Sequence, residues 1–371
     1  MENNSSIQVR LSKISIKDYK AIDHLDLLFP NDEEYDVYAL GSENGVGKTA
    51  VLDCIAEVAG SMAFRQCILG GHNIWREKCR YNCHSYEING TFEIGNITRT
   101  ISSKTGNIDC RDKAEELNRL GLPNRSSPFT PDVDIELGFH FLYLKCNRIV
   151  QNGSVPVYMD VREEPADEED PNDVSFIYNV NVTDDNPNGD PKQLHILRDG
   201  NEYIGQKNNF DKITSNRIKK EIVWTILKNS VMLNNGKKDK VDWAIIEVVD
   251  KLLKKFARVK LDFSQFKHLP SSPVNLMVCD IEDEKKHFPL DGLSSGQKEI
   301  ISTLFLVWYY TRDGKSIVLI DEPELHLNMS WQLSFVQMLK EIAPNNQYIL
   351  ATHSEAVMRC IPKGHRILLS R

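Results

Sequence analysis

Long apolar runs are missing from this sequence. No stretch of its 371 residues reaches the roughly 18 consecutive apolar residues that cross a bilayer, so no membrane role is expected. The opening segment, MENNSSIQVRLSKISI, has no basic stretch followed by an apolar run, and a secretory signal is not expected. Regular cysteine pairing is missing too. Eight cysteines are scattered through a long chain, which fits reduced thiols and a cytoplasmic place better than a disulfide framework. There is no internal repeat. Positive charge is not in excess: the formal net charge is −8, so any DNA contact needs a local basic patch. What is present is globular composition, 41% hydrophobic and 26% charged, in a chain long enough for one large domain or two smaller ones.

The periodicity changes along the chain. Ile7 to Ile16 and Ile22 to Phe29 alternate apolar and polar residues, and Asp36 to Leu40 is a short third run, so three strands are expected. A glycine-rich loop follows, then a helical pattern with Val51, Leu52, Ile55, Ala56 and Val58 on one face. Tyr86 to Ile101 alternates again and predicts two or three antiparallel strands. REEPADEEDPND and TDDNPNGDP, acidic and rich in proline and asparagine, read as loops or linkers. Ile213 to Leu233 and Val241 to Val259 have helical spacing. The last hundred residues return to an α/β pattern: strand Val274 to Ile281, helix Ser295 to Tyr310, strand Ser316 to Ile320, helix Met329 to Ile342 and strand Gln347 to Ala351. The expected organisation is an α/β head, residues 1–105 with 271–371, carrying an inserted helical and irregular lobe at 106–270.

Four segments carry chemistry. The loop Ser42-Glu43-Asn44-Gly45-Val46-Gly47-Lys48-Thr49 nearly fits the phosphate-binding pattern, with Ser42 in place of its first glycine. Gly45 and Gly47 let backbone N–H groups turn toward phosphate oxygens. Lys48 offers a point charge to β- and γ-phosphates, and Thr49 a hydroxyl ligand to Mg²⁺; Ala50 opens the helix behind them. Strand, glycine-rich loop and helix is the context such a loop requires. In SIVLIDEPE four apolar residues lead to Asp321, at the strand end where ligands of open α/β sheets bind. Asp321 is the candidate Mg²⁺ partner, and Glu322 the candidate general base for the attacking water. In LSSGQKE, Ser294, Ser295, Gly296 and Gln297 open a helix, whose free N–H groups and dipole favour an anion. A serine N-cap is the plainer reading of the same residues. ATHSE places His353 just past a strand, within reach of a γ-phosphate or a water.

Ser294 precedes Asp321 by 27 residues and His353 follows it by 32. In that order and spacing the four segments resemble the ABC ATPase superfamily. LSSGQ, DEPELHL and ATHS are similar to the OLD-type and related bacterial AAA-family ATPases, a branch near the SMC and DNA-repair heads. The resemblance implies a P-loop ATPase that binds ATP and Mg²⁺ and closes two sites by head-to-head dimerisation, each completed by Ser294 of the other copy. It implies that Lys20, after the first strand, helps hold nucleotide, and that Glu324, Leu325 and His326 cross toward the other copy. Gln151 is a candidate for the glutamine that bridges Mg²⁺ and the nucleophile.

The resemblance also implies a role: a regulatory ATPase of bacterial anti-phage defence with a separate effector protein, a nuclease, like the ATPase subunits of Septu and retron systems. A DNA-repair ATPase acting directly on DNA is the alternative, and an ATP-dependent scaffold with little turnover a third. Eighteen residues follow His353, too few for the Toprim nuclease of OLD proteins, and Ile213 to Val259 is too short for an SMC arm. Cys67, His72, Cys79, Cys83 and His84 form a zinc knuckle of unusual spacing or remain reduced thiols. Lys219, Lys220, Lys237, Lys238, Lys240, Lys251, Lys254, Lys255, Arg258 and Lys260 form a nucleic-acid face or a merely solvated one.

Overall fold

The computed structural model describes residues 9–32, 36–41, 46–60, 65–69, 86–104, 107–108, 140–146, 157–165, 174–182, 195–196, 202–203, 217–234, 238, 241–266, 274–312 and 316–369. They fall into two compact units, 1–148 with 306–371, and 149–305. In chain order the first unit begins with strands β1 (Val9–Tyr19), β2 (Ile22–Leu28) and β3 (Val37–Gly41), helix α1 (Lys48–Gly60), and strands β4 (Arg65–Leu69), β5 (Glu87–Ile94), β6 (Ile97–Lys104), β7 (Asn107–Ile108) and β8 (His140–Leu144). The second unit holds β9 (Val157–Pro165), β10 (Val174–Val182), the two-residue strands β11 (His195–Ile196) and β12 (Glu202–Tyr203), helices α2 (Arg217–Asn234) and α3 (Ala244–Ala257), and β13 (Val259–Asp262), β14 (Met277–Asp280) and β15 (His287–Pro289). Helix α4 (Ser295–Thr311) contains the division, and β16 (Ser316–Asp321), α5 (Met329–Ile342), β17 (Gln347–Thr352), α6 (Glu355–Arg359) and β18 (Arg366–Leu368) complete the first unit.

Two sheets build the first unit. A six-stranded sheet in the order β18-β3-β17-β16-β8-β4 is parallel at every pairing, and an antiparallel sheet runs β2-β1-β5-β6-β7. Every residue of β16 and β17 is buried, as the apolar runs Ile317 to Ile320 and Tyr348 to Ala351 require of central parallel strands. Helix α1 packs between the sheets. Its Val51, Leu52, Ile55 and Val58 share one core with Leu11, Ile14 and Ile16 of β1, Ile88 and Phe92 of β5, and Ile317 and Leu319 of β16. Gly90 in β5 makes this approach possible: a Cβ there would come within 2.7 Å of Val58 Cγ2.

Side chains tie the two sheets together. The Gln347 amide accepts from the Leu11 N–H and donates to the Leu11 carbonyl, both at 2.8 Å, where β1 shifts register against β5. Arg10 is buried. It donates to the carbonyls of Phe29 and Pro30, to Asp36 at 2.9 Å and to the Tyr38 hydroxyl at 2.6 Å. Burial pushes the Asp36 carboxyl above the usual range, and Arg10 opposes that shift.

The second unit contains strands as well as helices. Val157–Pro165 pairs antiparallel with Val174–Val182, so the start of the acidic run, Arg162 to Pro165, is strand rather than loop. The alternation of Val157, Met159 and Val161 with polar neighbours outweighs the charge that follows. Strand β8 lies within the range read as insert, yet it pairs with β16 in the first unit's sheet. The compact units divide at 148/149 and 305/306. Helices α2 and α3 both form. Lys219 and Lys220, read as part of a basic face, are buried instead, and Lys219 is ion-paired with Asp291 across 72 residues of sequence. Lys251, Lys254, Lys255 and Arg258 are exposed, Arg258 pairing with Glu282 and Lys260 with Glu284. Lys238 is exposed, and Lys237 and Lys240 lie outside the described residues.

Candidate nucleotide site

The phosphate-loop helix and the C-terminal ends of β16 and β17 meet in the first unit. Val46 and Gly47 lead into α1, and Gly47 has φ 103°, a conformation that glycine adopts without strain. Ser42, Glu43, Asn44 and Gly45 lie outside the described residues, as does Gln151. Lys48 and Thr49 open α1, with Ala50 behind them in the core. The Thr49 hydroxyl donates to both Asp321 oxygens, at 3.0 and 3.2 Å. Asp321, the last residue of β16, is buried. A threonine oxygen held against a carboxylate is a hard oxygen donor set that fits Mg²⁺.

Lys48 Nζ lies 3.2 Å from His353 Nδ1. Desolvation pushes the Lys48 ammonium below its ordinary range, and the carboxylates of Glu324, Glu322 and Asp321 oppose that shift. Glu322 is in the left-handed region, φ 48°, and its N–H donates to the Ala351 carbonyl at 2.8 Å. Such a backbone is uncommon away from glycine and marks a constrained turn. The turn that follows brings Glu324 to β17, where its carboxylate accepts the Thr352 hydroxyl at 2.7 Å and the His353 N–H at 2.6 Å. This within-chain contact is a place for Glu324 other than the crossing to a second copy that the resemblance implies.

Lys20, on the turn after β1, has φ 53° and pairs with Asp53 of α1 at 2.9 Å. Asp53 also accepts from the Tyr143 hydroxyl at 3.2 Å and pairs with Lys145 at 3.5 Å. Asp53, Tyr143 and Lys145 escape a motif-based reading. The signal for Asp53 is an acid one helical turn after Thr49 in a largely apolar helix.

Ser294 and Gln297 lie in the second unit. The Ser294 N–H donates to Gln297 Oε1 at 2.9 Å, and the Gln297 N–H to Ser294 Oγ at 3.3 Å, the reciprocal capping box of a helix start. Ser294 and Ser295 are exposed and Gly296 is buried. Cys67 lies on β4; His72, Cys79, Cys83 and His84 lie outside the described residues. Among the described residues there is no group of metal-ligating side chains of three or more, and no helix long and apolar enough to cross a membrane.

A parallel sheet with a phosphate loop after one strand and an aspartate ending the next strand but one defines an α/β P-loop ATPase head. The chain belongs to the family described as "AAA domain, putative AbiEii toxin, Type IV TA system", which matches residues 161–359, more than half of its length. That span includes Ser294, Asp321 and His353.

Over 96% of this chain and 73% of the relative, the sequence is 24% identical to a protein named "Retron Vc95 probable ATPase" from Vibrio cholerae serotype O1 biovar El Tor. A 57-residue stretch, 15% of this chain and 10% of the relative, is 47% identical to "Retron Ec83 probable ATPase" from Escherichia coli. Among solved structures, the SMC head domain from Thermotoga maritima matches with TM-score 0.40 and 14% identity, covering 95% of this chain and 92% of that one. The Smc head domain from Pyrococcus furiosus, bound to the C-terminal domain of ScpA, matches with TM-score 0.44 and 12% identity over the same shares.

Proposed function

We propose that this chain hydrolyses ATP at the site built by Lys48, Thr49, Asp321, Glu322 and His353, and that the cycle controls a separate effector protein in anti-phage defence. The observation that carries the catalytic part is the convergence of Thr49 on Asp321 and of Lys48 on His353, from segments over 270 residues apart in sequence. Thr49 and Asp321 would hold Mg²⁺, which when bound supplies positive charge beside the phosphates. Lys48, desolvated and framed by carboxylates, attracts the β- and γ-phosphates and is the point charge they would neutralise. Glu322 follows Asp321 directly and takes the proton of the attacking water. His353 orients the γ-phosphate or that water from the side of Lys48. Lys20 contributes from the turn after β1, where it is ion-paired with Asp53 of α1.

Two heads would close on two nucleotides, each site receiving Ser294, Ser295, Gly296 and Gln297 of the other copy. The capping box orients that helix start and leaves its other N–H groups for a phosphate. Gln151 would be the glutamine that bridges Mg²⁺ and the nucleophile. The defence role rests on the likeness to the retron ATPases. A coupling of about 1–3 kcal/mol between nucleotide and effector suffices to shift the effector's state 5- to 150-fold. The test is to purify the chain with the product of the neighbouring gene and measure ATP hydrolysis and DNA cleavage, with and without ATP. Hydrolysis by the chain and ATP-dependent cleavage by the complex are expected. DNA cleavage by the chain alone, or no association with that neighbour, would favour direct action on DNA.

A further inference from the structure

We propose that Glu324 is the positioning residue for His353, a latch that fixes where the imidazole stands against Lys48. The latch is built from two adjacent donors at the end of β17. One Glu324 oxygen accepts the Thr352 hydroxyl at 2.7 Å and the other accepts the His353 main-chain N–H at 2.6 Å. His353 itself is exposed. For an exposed side chain, the backbone it hangs from does much to decide where it points.

Glu324 is in turn held by its own turn. The Glu322 N–H is tied to Ala351, the Leu325 N–H to the Glu322 carbonyl and the Leu327 N–H to the Glu324 carbonyl. A second link lies on the other flank of His353. The Ser354 hydroxyl donates to Gln332 Oε1 at 2.6 Å, and the Gln332 amide donates to the Leu327 carbonyl at 2.8 Å. The residues before and after His353 are thus both fastened to the segment that follows Asp321. Any displacement of that segment moves His353 relative to Lys48, which rides on α1.

The inference rests on the ATPase reading above, and its test separates the two. Wild type, Glu324→Ala, Glu324→Gln, His353→Ala and the Glu324→Ala/His353→Ala double variant are compared in three ways. These are ATP turnover, affinity for a fluorescent non-hydrolysable ATP analogue, and amide hydrogen exchange of residues 351–357 in the full chain. Glu324→Ala should lower kcat about ten- to hundredfold, as misplacement of an active-site group does, with analogue affinity little changed and exchange at His353 faster. Glu324→Gln keeps an oxygen for the His353 N–H and offers an amide N–H to Thr352, so it should recover most of the loss. Adding Glu324→Ala to His353→Ala should cost nothing further, because one acts through the other.

Equal damage from Gln and Ala would show that the charge of Glu324 on Lys48 matters and not its placing of His353. Additive losses in the double variant, or unchanged exchange in Glu324→Ala, would also overturn the latch. Absence of turnover in wild type would sink the ATPase reading, and the exchange arm would still decide whether the latch exists.

Discussion

In the proposed mechanism Lys48 and Glu322 divide the labour of the site at the scale of single residues. Lys48 is partly desolvated before any phosphate arrives, so its charge is poised to be satisfied by one. Lys48→Ala should therefore abolish nucleotide binding, measured with a fluorescent ATP analogue. Glu322→Gln keeps the size and removes the base, so it should retain nucleotide and lose about 10² to 10⁴ in turnover. Near-normal turnover in that variant would mean the base lies elsewhere. These residues are legible in the sequence because each closes a short pattern on one stretch of chain. Asp53 and Glu324 are less so. The two lysines of Asp53 come from Lys20 and Lys145, and the donors to Glu324 lie 28 and 29 residues on, distances that no local pattern encodes. Lys219 is misread for the same reason: its partner Asp291 is remote, and the pair allows a long basic side chain to be buried.

At the scale of elements, α1 is the part on which the site depends. It carries Lys48 and Thr49 at its start and is buried along Val51 to Ala59 between two sheets. The close approach at Gly90 leaves no room for a side chain, since Val58 is β-branched and stiff. Gly90→Ala should destabilise the fold by about 1–3 kcal/mol through overpacking. Denaturant unfolding would show it as a lower midpoint; an unchanged midpoint would mean that α1 is free to yield there. The elements themselves are unevenly legible. Helix α5 matches its predicted span, Met329 to Ile342, because Asn328 caps it, its side chain accepting the Trp331 N–H at 3.0 Å. Strand β9 is obscured because its second half enters an acidic run. Strand β8 is obscured because His140 to Leu144 has no period of its own, and its pairing with β16 and β4 assigns it.

For the whole molecule, the proposed sharing of sites between copies is open to a direct test. Chains carrying Lys48→Ala are mixed with chains carrying Ser294→Arg. A mixed dimer then has one intact site and one doubly altered site, so ATP turnover should partly recover on mixing. A mixture as inactive as either parent would argue against completion of each site by the other copy. Ser294→Arg also removes a cap worth about 1 kcal/mol, so the variant's unfolding midpoint serves as its control. The order β18-β3-β17-β16-β8-β4 has a further consequence, for how the protein is made. Strand β3 ends at Gly41 and its inner neighbour β17 begins at Gln347, 306 residues later; β8 likewise waits for β16. A ribosome must release β16 and β17 before the middle of the sheet can be filled. Until then two apolar strands present open edges in a crowded cell, the condition under which nascent chains engage chaperones or aggregate. A premature stop ahead of β17 would thus leave a chain without its central sheet, and not a smaller working ATPase.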